Sequence, residues 1–350
     1  MADVRADAGP TLPSHHRVVR AVERAIASLD VRWQGQNVII AVSGGADSTF
    51  LLHATCALRR RFGFRIVVAH VNHGWRGAAS REDANAVARL GESLGTPVHL
   101  LTVADARDAQ PRGGIEAAAR AVRYAFLAEV ARSCGAVAVL VAHTADDQTE
   151  TIILSLLRGR SVAGLSGMAE ASALPVANAP RALLVRPMLA IGAAVVRNTL
   201  RASGIAWRTD ESNDDRARVR NRVRHEVVPT LEAISPGFRS ALARAARDVE
   251  AARDMLDDAI QAATRRWQVD KSGWSVARAD WLTDALHVRL AALREVLVRV
   301  GVSAEVIESG HLRAVDRMVT SNRGGAWRAV GPTTIRLSGG RLTVLAPPEA

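Results

Sequence analysis

Three short stretches carry side chains able to do chemistry. Residues 43–48 read Ser43-Gly44-Gly45-Ala46-Asp47-Ser48, two glycines and two hydroxyls beside one carboxylate. Glycine permits backbone angles and close approach that a Cβ blocks. A glycine-rich turn opening a helix leaves N–H groups free to surround an anion, and the helix dipole adds to the attraction. The stretch reads as a phosphate loop, with a plain glycine turn of an α/β protein as the simpler alternative. The Walker form is excluded, because it needs a lysine and Lys271 is the only one in the chain. The second stretch, His70-Val-Asn72-His73-Gly-Trp75-Arg76, and the third, His143-Thr144-Ala-Asp146-Asp147-Gln148-Thr-Glu150, are rich in imidazole, amide and carboxylate groups. Between them Glu116, Arg120, Arg123 and Tyr124 recur at helical spacing.

These stretches need a scaffold that brings them to one edge. Val38, Ile39, Ile40 and Val42 form an apolar, β-branched run before the loop, and residues 49–58 continue as an apolar helix. Further strands are predicted over 65–71, 98–103 and 136–142. Helices are predicted over 16–29, 80–94 (Ser80 and Asp83 as a capping box), 116–133 and 144–159. Strands alternating with helices imply a doubly wound parallel sheet, and in such sheets ligands sit beyond the carboxyl ends of the strands. The second and third stretches follow predicted strands, as the loop does. Plainer roles exist for each. Thr144 and Asp147 fit a capping box, Asp146 and Glu150 favour a helix N-terminus, and His70 with His73 lacks a third zinc ligand.

Further on, Arg216, Arg218, Arg220, Arg222 and Arg224 alternate with other residues. In a helix they spread around the circumference; in an extended segment they share one face; a solvated basic linker is the plain alternative. A long helix is predicted over 238–267, two more over 281–300 and 305–319, and a small antiparallel hairpin over 326–345.

A length of 350 residues implies two domains, and 48% hydrophobic content is ample for their cores. The first 15 residues read as a disordered tail. Cys56 and Cys134 make no disulfide framework, so a reducing cytoplasmic setting is expected. No apolar run is long enough for a membrane span, and the first ten residues lack a signal peptide's apolar segment. The net charge of +11, carried by 45 arginines and one lysine, suits a phosphate-rich partner.

The loop SGGADS matches the SGGxDS loop of the N-type ATP pyrophosphatases, or PP-loop enzymes. These cleave ATP between the α- and β-phosphates and activate an oxygen as its adenylate. SGGADS, HVNHGWRG, EAAARAVRY and HTADDQTETIILSLLRGRSVAGLSGM, in this order, resemble the tRNA(Ile)-lysidine synthetases. RPML and WRTDESNDDRARVRNRVRHEVVP look like the segments that close that family's catalytic domain. The strong part covers residues 37–230, and the C-terminal third is more loosely similar to the family's tRNA-binding region.

The resemblance implies an α/β PP-loop fold, a doubly wound parallel sheet with a C-terminal mainly helical domain. The catalytic domain would span 16–215 and the tRNA-binding region 216–350. The implied reaction adenylates the C2 oxygen of the wobble cytidine in the CAU anticodon of tRNA(Ile). The ε-amine of free L-lysine then attacks C2, expels AMP and forms lysidine, so that AUA is read instead of AUG. ATP and Mg²⁺ are the implied cofactors, no membrane is involved, and the oligomeric state is open, a homodimer among the options.

On this reading Ser43, Gly44, Gly45, Ala46, Asp47 and Ser48 with His70 hold ATP, and Asp47 places the metal. Asp147 and Glu150 grip lysine's ammonium groups. Asn72, His73, Arg76, Glu116, Arg220 and Arg222 meet lysine or tRNA. Asp47, Arg120, His143 and Asp147 are the catalytic candidates. Three other readings of the sequence stand beside this one. A tRNA thiolase of the same superfamily calls for paired cysteines, and Cys56 and Cys134 have no such spacing. An amidating PP-loop enzyme acting on small molecules needs no basic C-terminal third. A catalytically inactive RNA-binding module needs neither SGGADS nor DDQTE.

Overall fold

The computed structural model describes residues 11–74, 77–103, 115–159, 162–208, 219–270, 273–303, 306–321, 325 and 327–345. The chain divides into two compact units, Met1–Arg247 and Asp248–Ala350. The first begins with α1 (Arg17–Ala27), β1 (Asn37–Ala41), α2 (Ala46–Phe62), β2 (Arg65–Asn72), α3 (Ala78–Ser93), β3 (Val98–Thr102) and α4 (Ile115–Cys134). It continues with β4 (Ala136–Leu140), α5 (Ala145–Leu157), α6 (Val162–Leu165), β5 (Ala171–Ala173), β6 (Leu183–Val185) and α7 (Ala193–Ala202). After residues 209–218, α8 (Val219–Arg222), a π-helical turn (Val223–Val227) and α9 (Val228–Ile234) follow without a break.

The sheet runs β3-β2-β1-β4-β6-β5. All its pairings are parallel except β5 on β6, an antiparallel edge. From β1 the chain steps outward through β2 to β3, then returns to the other side of β1 as β4. That reversal makes a switch point between β1 and β4, where a crevice opens at their carboxyl ends. Successive side chains of a strand point to opposite faces. Val38 and Ile40 therefore pack with Val22, Leu51 and Val196 of α1, α2 and α7, while Ile39 packs with Leu127 and Ala128 of α4. Burial on both faces explains why β1 reads as a continuous apolar run rather than an alternating one.

Two local expectations need correction. Helix α3 starts at Ala78 after Gly77, so Ser80 is inside the helix rather than its cap, and Asp83 accepts from Arg208 Nε at 2.8 Å. Of the expected tail, residues 1–10 lie outside the described residues, but Leu12 is only 3% exposed and belongs to the core.

The unit boundary falls within α10 (Phe238–Arg265). The second unit then holds β7 (Gln268–Asp270), β8 (Gly273–Ala277), α11 (Arg278–Leu282), α12 (Leu286–Arg299), α13 (Ser309–Thr320), β9 (Trp327–Val330), β10 (Thr333–Ser338) and β11 (Arg341–Leu345). The helix expected over 281–300 is two, α11 and α12. The expected hairpin is part of a five-stranded antiparallel sheet, β7-β8-β11-β10-β9, which buries Ile335, Leu337, Leu342 and Val344 with Leu293, Val296 and Val315 of α12 and α13. Among the described residues no helix is long and apolar enough to cross a membrane.

Candidate active site

The phosphate loop sits at the carboxyl end of β1. Gly44 has φ +91°, a left-handed conformation that explains glycine there. Gly45 is the N-cap of α2 and offers no side-chain acceptor, so the first N–H groups of α2, from Ala46 to Ser48, face outward without intrahelical partners. Ser48 Oγ bridges the loop, accepting from Ser43 N at 3.1 Å and lying 3.0 Å from Ser43 Oγ. A strap holds the loop from outside. Arg208 donates its backbone N–H to Gly44 O at 3.0 Å and its guanidinium to Asp83 and Glu82 of α3, at 2.8 and 3.3 Å. The result is a ring of backbone donors suited to an oxyanion.

Asp47 occupies the first turn of α2, and its Oδ1 is buried with no hydrogen-bond partner among the described residues. Burial, then the nearby carboxylates Asp147 and Asp146, push its pKa up to about 6, against the opposing pull of Arg197 and Arg224. A desolvated, unsatisfied carboxylate beside two others and next to a phosphate cradle fits a divalent cation shared with phosphate oxygens. Mg²⁺ characteristically binds through one or two carboxylates plus substrate phosphates. Among the described residues no cluster of three or more His, Cys, Asp or Glu side chains is arranged to hold a metal by itself.

The end of β2 supplies imidazoles kept neutral. His70 is buried with Nδ1 at 2.7 Å from Val42 O, and burial lowers its pKa. His73 is lowered to about 4, first by burial and then by Arg123 and His70. Asn72 is buried, and its Oδ1 accepts from Gly74 N at 2.9 Å, shaping the turn. After β4, His143 is likewise lowered to about 4, chiefly by burial, with Arg186, Arg120 and Arg220 adding positive potential and Asp147 opposing them. At neutral pH these rings accept or donate hydrogen bonds but carry no charge.

The acidic stretch after β4 is the electrostatic centre. Thr144 caps α5 in a capping box with Asp147, whose Oδ2 accepts from Thr144 N at 2.8 Å and from Thr144 Oγ1 at 2.9 Å. The other oxygen of Asp147 accepts from Arg220 Nη2 at 3.0 Å. Capping and the ionic role thus use different oxygens of one carboxylate. Glu150, one turn on, is 2% exposed and fully engaged: Arg220 Nε donates at 2.7 Å and Arg224 Nε at 2.6 Å. Asp146 accepts from Ala193 N at 2.7 Å and from Arg239 Nη1 at 2.9 Å. All three carboxylates of α5 are therefore held by arginines or a helix N-terminus.

Arg216 and Arg218 lie outside the described residues; from Arg220 to Arg224 the alternation is helical, not extended. Arg220 and Arg224 lie four residues apart and converge on Glu150. Arg222 is turned away and pairs with Glu226 at 3.5 Å. The π-helical turn begins at Val223, inside this arginine pair, and such turns frequently mark functional sites. Arg120 is exposed, with its guanidinium 4.8 Å from the ring centre of Tyr124. Glu116 lies in the first turn of α4, and Arg76 lies outside the described residues.

The structure thus brings Asp47, His143, Asp147, Glu150 and Arg220 to one mouth and leaves Arg222 off it. It adds four arginines absent from the sequence-based set: Arg186, Arg208, Arg224 and Arg239. Arg186 had a local signal, as the charged residue closing the apolar run of β6; it is buried and donates to Ala169 O at 2.8 Å. Arg239 had none, since its partner Asp146 is 93 residues away.

The model of the PP-loop domain family matches residues 15–231. The chain is 37% identical to the tRNA(Ile)-lysidine synthase of Salinispora arenicola, over 94% of this chain and 95% of that one. The chain belongs to the tRNA(Ile)-lysidine synthase family. It is also 38% identical to the synthase of Geobacter sulfurreducens over 82% of its own length, but spans only 60% of that relative. Among solved structures, the U34-tRNA thiolase NcsA from Methanococcus maripaludis aligns with a TM-score of 0.54 at 16% identity, covering 67% of this chain and 78% of that one. That likeness is one of fold.

Proposed function

We propose that this chain ligates L-lysine to C2 of the wobble cytidine in the CAU anticodon of tRNA(Ile), consuming ATP and releasing pyrophosphate and AMP. The observation that carries this reading is the phosphate loop facing the Asp147–Glu150 pair across the β1–β4 switch point, in a chain of this family. In the first step the C2 oxygen attacks the α-phosphorus of ATP, the bond to the β-phosphate breaks, and pyrophosphate leaves. The α2 N–H groups with Ser43 and Ser48 bind the departing phosphates, and Asp47 is the residue to hold Mg²⁺. Mg²⁺, when bound, neutralises charge on the phosphates.

In the second step the ε-amine of lysine adds to C2 and the C2–oxygen bond to AMP breaks. The amine must be unprotonated to attack. Neutral His143, whose buried Nδ1 has no partner among the described residues, suits a hydrogen-bond acceptor that orients the unprotonated amine. With a pKa of about 4 it is too weak a base to keep the proton, which leaves to solvent. Asp147 and Glu150 form the anionic pocket for lysine's α-ammonium, which replaces one guanidinium of the Arg220–Arg224 pair. The released arginine then turns to the substrate's phosphate.

The thiolase reading finds no support in the cysteines. Burial pushes Cys56 up to about 11 and raises Cys134 as well, the opposite of what thiolate chemistry needs. The deciding experiment is incubation with labelled lysine, ATP–Mg²⁺ and total tRNA, followed by nucleoside analysis. Labelled lysidine in tRNA(Ile) is expected, and label-free tRNA with intact protein refutes the reading.

A further inference from the structure

A groove runs between α1 and α7 on the surface of the first unit. Its two adjoining parts, about 360 and 280 Å³, share Arg17, Val18 and Val195 in their walls. Arg17, Arg20 and Arg24 stand along it at i, i+3 and i+7, one face of α1. All three are exposed, and among the described residues no carboxylate lines either part. The one acid of α1, Glu23, is turned inward and paired with Arg61 at 2.5 Å. The opposite wall is apolar at Ile191 and Val195 and turns polar at Asn198 and Thr199 in the second part.

The groove also adjoins the catalytic mouth. Its wall residue Ile191 accepts from Ala145 N at 3.0 Å, and Ala193, next to its wall residue Gly192, donates to Asp146 at 2.7 Å. The arginine row is long for a compact anion. Seven residues at 1.5 Å of rise set Arg17 and Arg24 about 10 Å apart along the helix, while a nucleic-acid strand places a phosphate about every 3.4 Å of axis.

We propose that this groove binds the sugar–phosphate backbone of the RNA that delivers the reacting base, the arginines on phosphates along one strand and the Ile191–Val195 wall against the sugars. The proposal rests on the tRNA reading above and extends it to a surface outside the phosphate loop and the acidic cluster. It makes α1, which touches no reacting atom, a positioning element for substrate.

The test compares wild type with a triple variant, Arg17→Gln, Arg20→Gln and Arg24→Gln, and with Val195→Glu, which puts a like charge in the phosphate path. Binding of a labelled anticodon stem-loop and of full tRNA(Ile) is measured by anisotropy across a salt series, with melting curves to check folding. Each lost single-strand phosphate contact flattens the log–log salt slope by about 0.7. The triple variant is therefore expected to flatten it by about 2 and to bind at least about tenfold more weakly. Val195→Glu weakens binding in the same direction. The KM for tRNA rises while the KM values for ATP and lysine stay put.

A folded triple variant with unchanged affinity and slope overturns the proposal, as does wild-type protein that binds neither RNA. Wild type that binds RNA through the groove but forms no lysidine refutes the catalytic reading and leaves the groove standing. Lysidine formation with an unchanged KM for tRNA in the triple variant does the reverse.

Discussion

Asp47 is the residue whose replacement separates stability from activity most sharply. Its carboxyl titrates at about 6 in the folded chain against an ordinary 3.8. At 1.36 kcal/mol per pKa unit, that difference corresponds to about 3 kcal/mol spent keeping the group ionised at neutral pH. The sign follows from proton binding. Because the folded pKa is raised, the native state binds the extra proton between pH 4 and 6, so wild type loses stability as pH rises through that window and levels off above it. Asp47→Asn removes the charge but leaves the buried Oδ1 without a donor, at a cost of about 1 kcal/mol or more. The variant is thus expected to be more stable than wild type by about 1–2 kcal/mol at pH 7.5. At about 2–4 °C per kcal/mol for a protein of this size, that is a rise in Tm of roughly 2–8 °C. By pH 5 only about half of the electrostatic difference, about 1.6 kcal/mol, remains, so the advantage shrinks toward zero. AMP formation with tRNA and lysine should meanwhile be lost. Thermal melts at pH 5 and 7.5, without nucleotide, measure the effect. An Asn variant that melts below wild type at pH 7.5, or whose advantage does not change with pH, refutes the account of a strained carboxylate awaiting a cation.

Three further outcomes are expected. Glu150→Gln should destabilise by about 2–3 kcal/mol, because it breaks charge-assisted bonds from two arginines to a buried carboxylate, the sum discounted because both arginines can turn to solvent; a double-mutant cycle with Arg224→Gln should return a coupling above about 0.5 kcal/mol in chemical denaturation. Gly44→Ala should cost about 1–2 kcal/mol of stability, since φ there is +91° although the nearest side-chain atom, Val87 Cγ2, is 3.6 Å from the added Cβ; equilibrium binding of ATP should weaken with it. His143, held neutral by burial with its pKa near 4, should show no ring titration between pH 5.5 and 8 by NMR, and a pKa of 6–7 there would undo its assignment as a neutral acceptor.

The sequence by itself determined the parts that depend on local physics. A β-branched run ending in Ser-Gly-Gly reads as a buried strand feeding a phosphate loop, and β1, the loop and α2 are built so. Thr144 and Asp147 lie at capping-box spacing, and the capping box forms. The alternation of strand and helix yields the parallel sheet, and motif order yields the family. Tertiary structure decided which charges meet. Arg220 and Arg222 are equivalent in the sequence, yet a helical path sends Arg220 and Arg224 to Glu150 and Arg222 to Glu226. Arg208 reaches Gly44 and Asp83, and Arg239 reaches Asp146, across gaps in sequence that no periodicity spans. The raised pKa of Asp47 likewise needs Asp146 and Asp147 brought from the end of another strand. Hydrophobic patterning is written into neighbours a few residues apart; electrostatic partnership depends on which elements the sheet order places side by side, and for β1 and β4 that is decided only when the chain folds back across its own first strand.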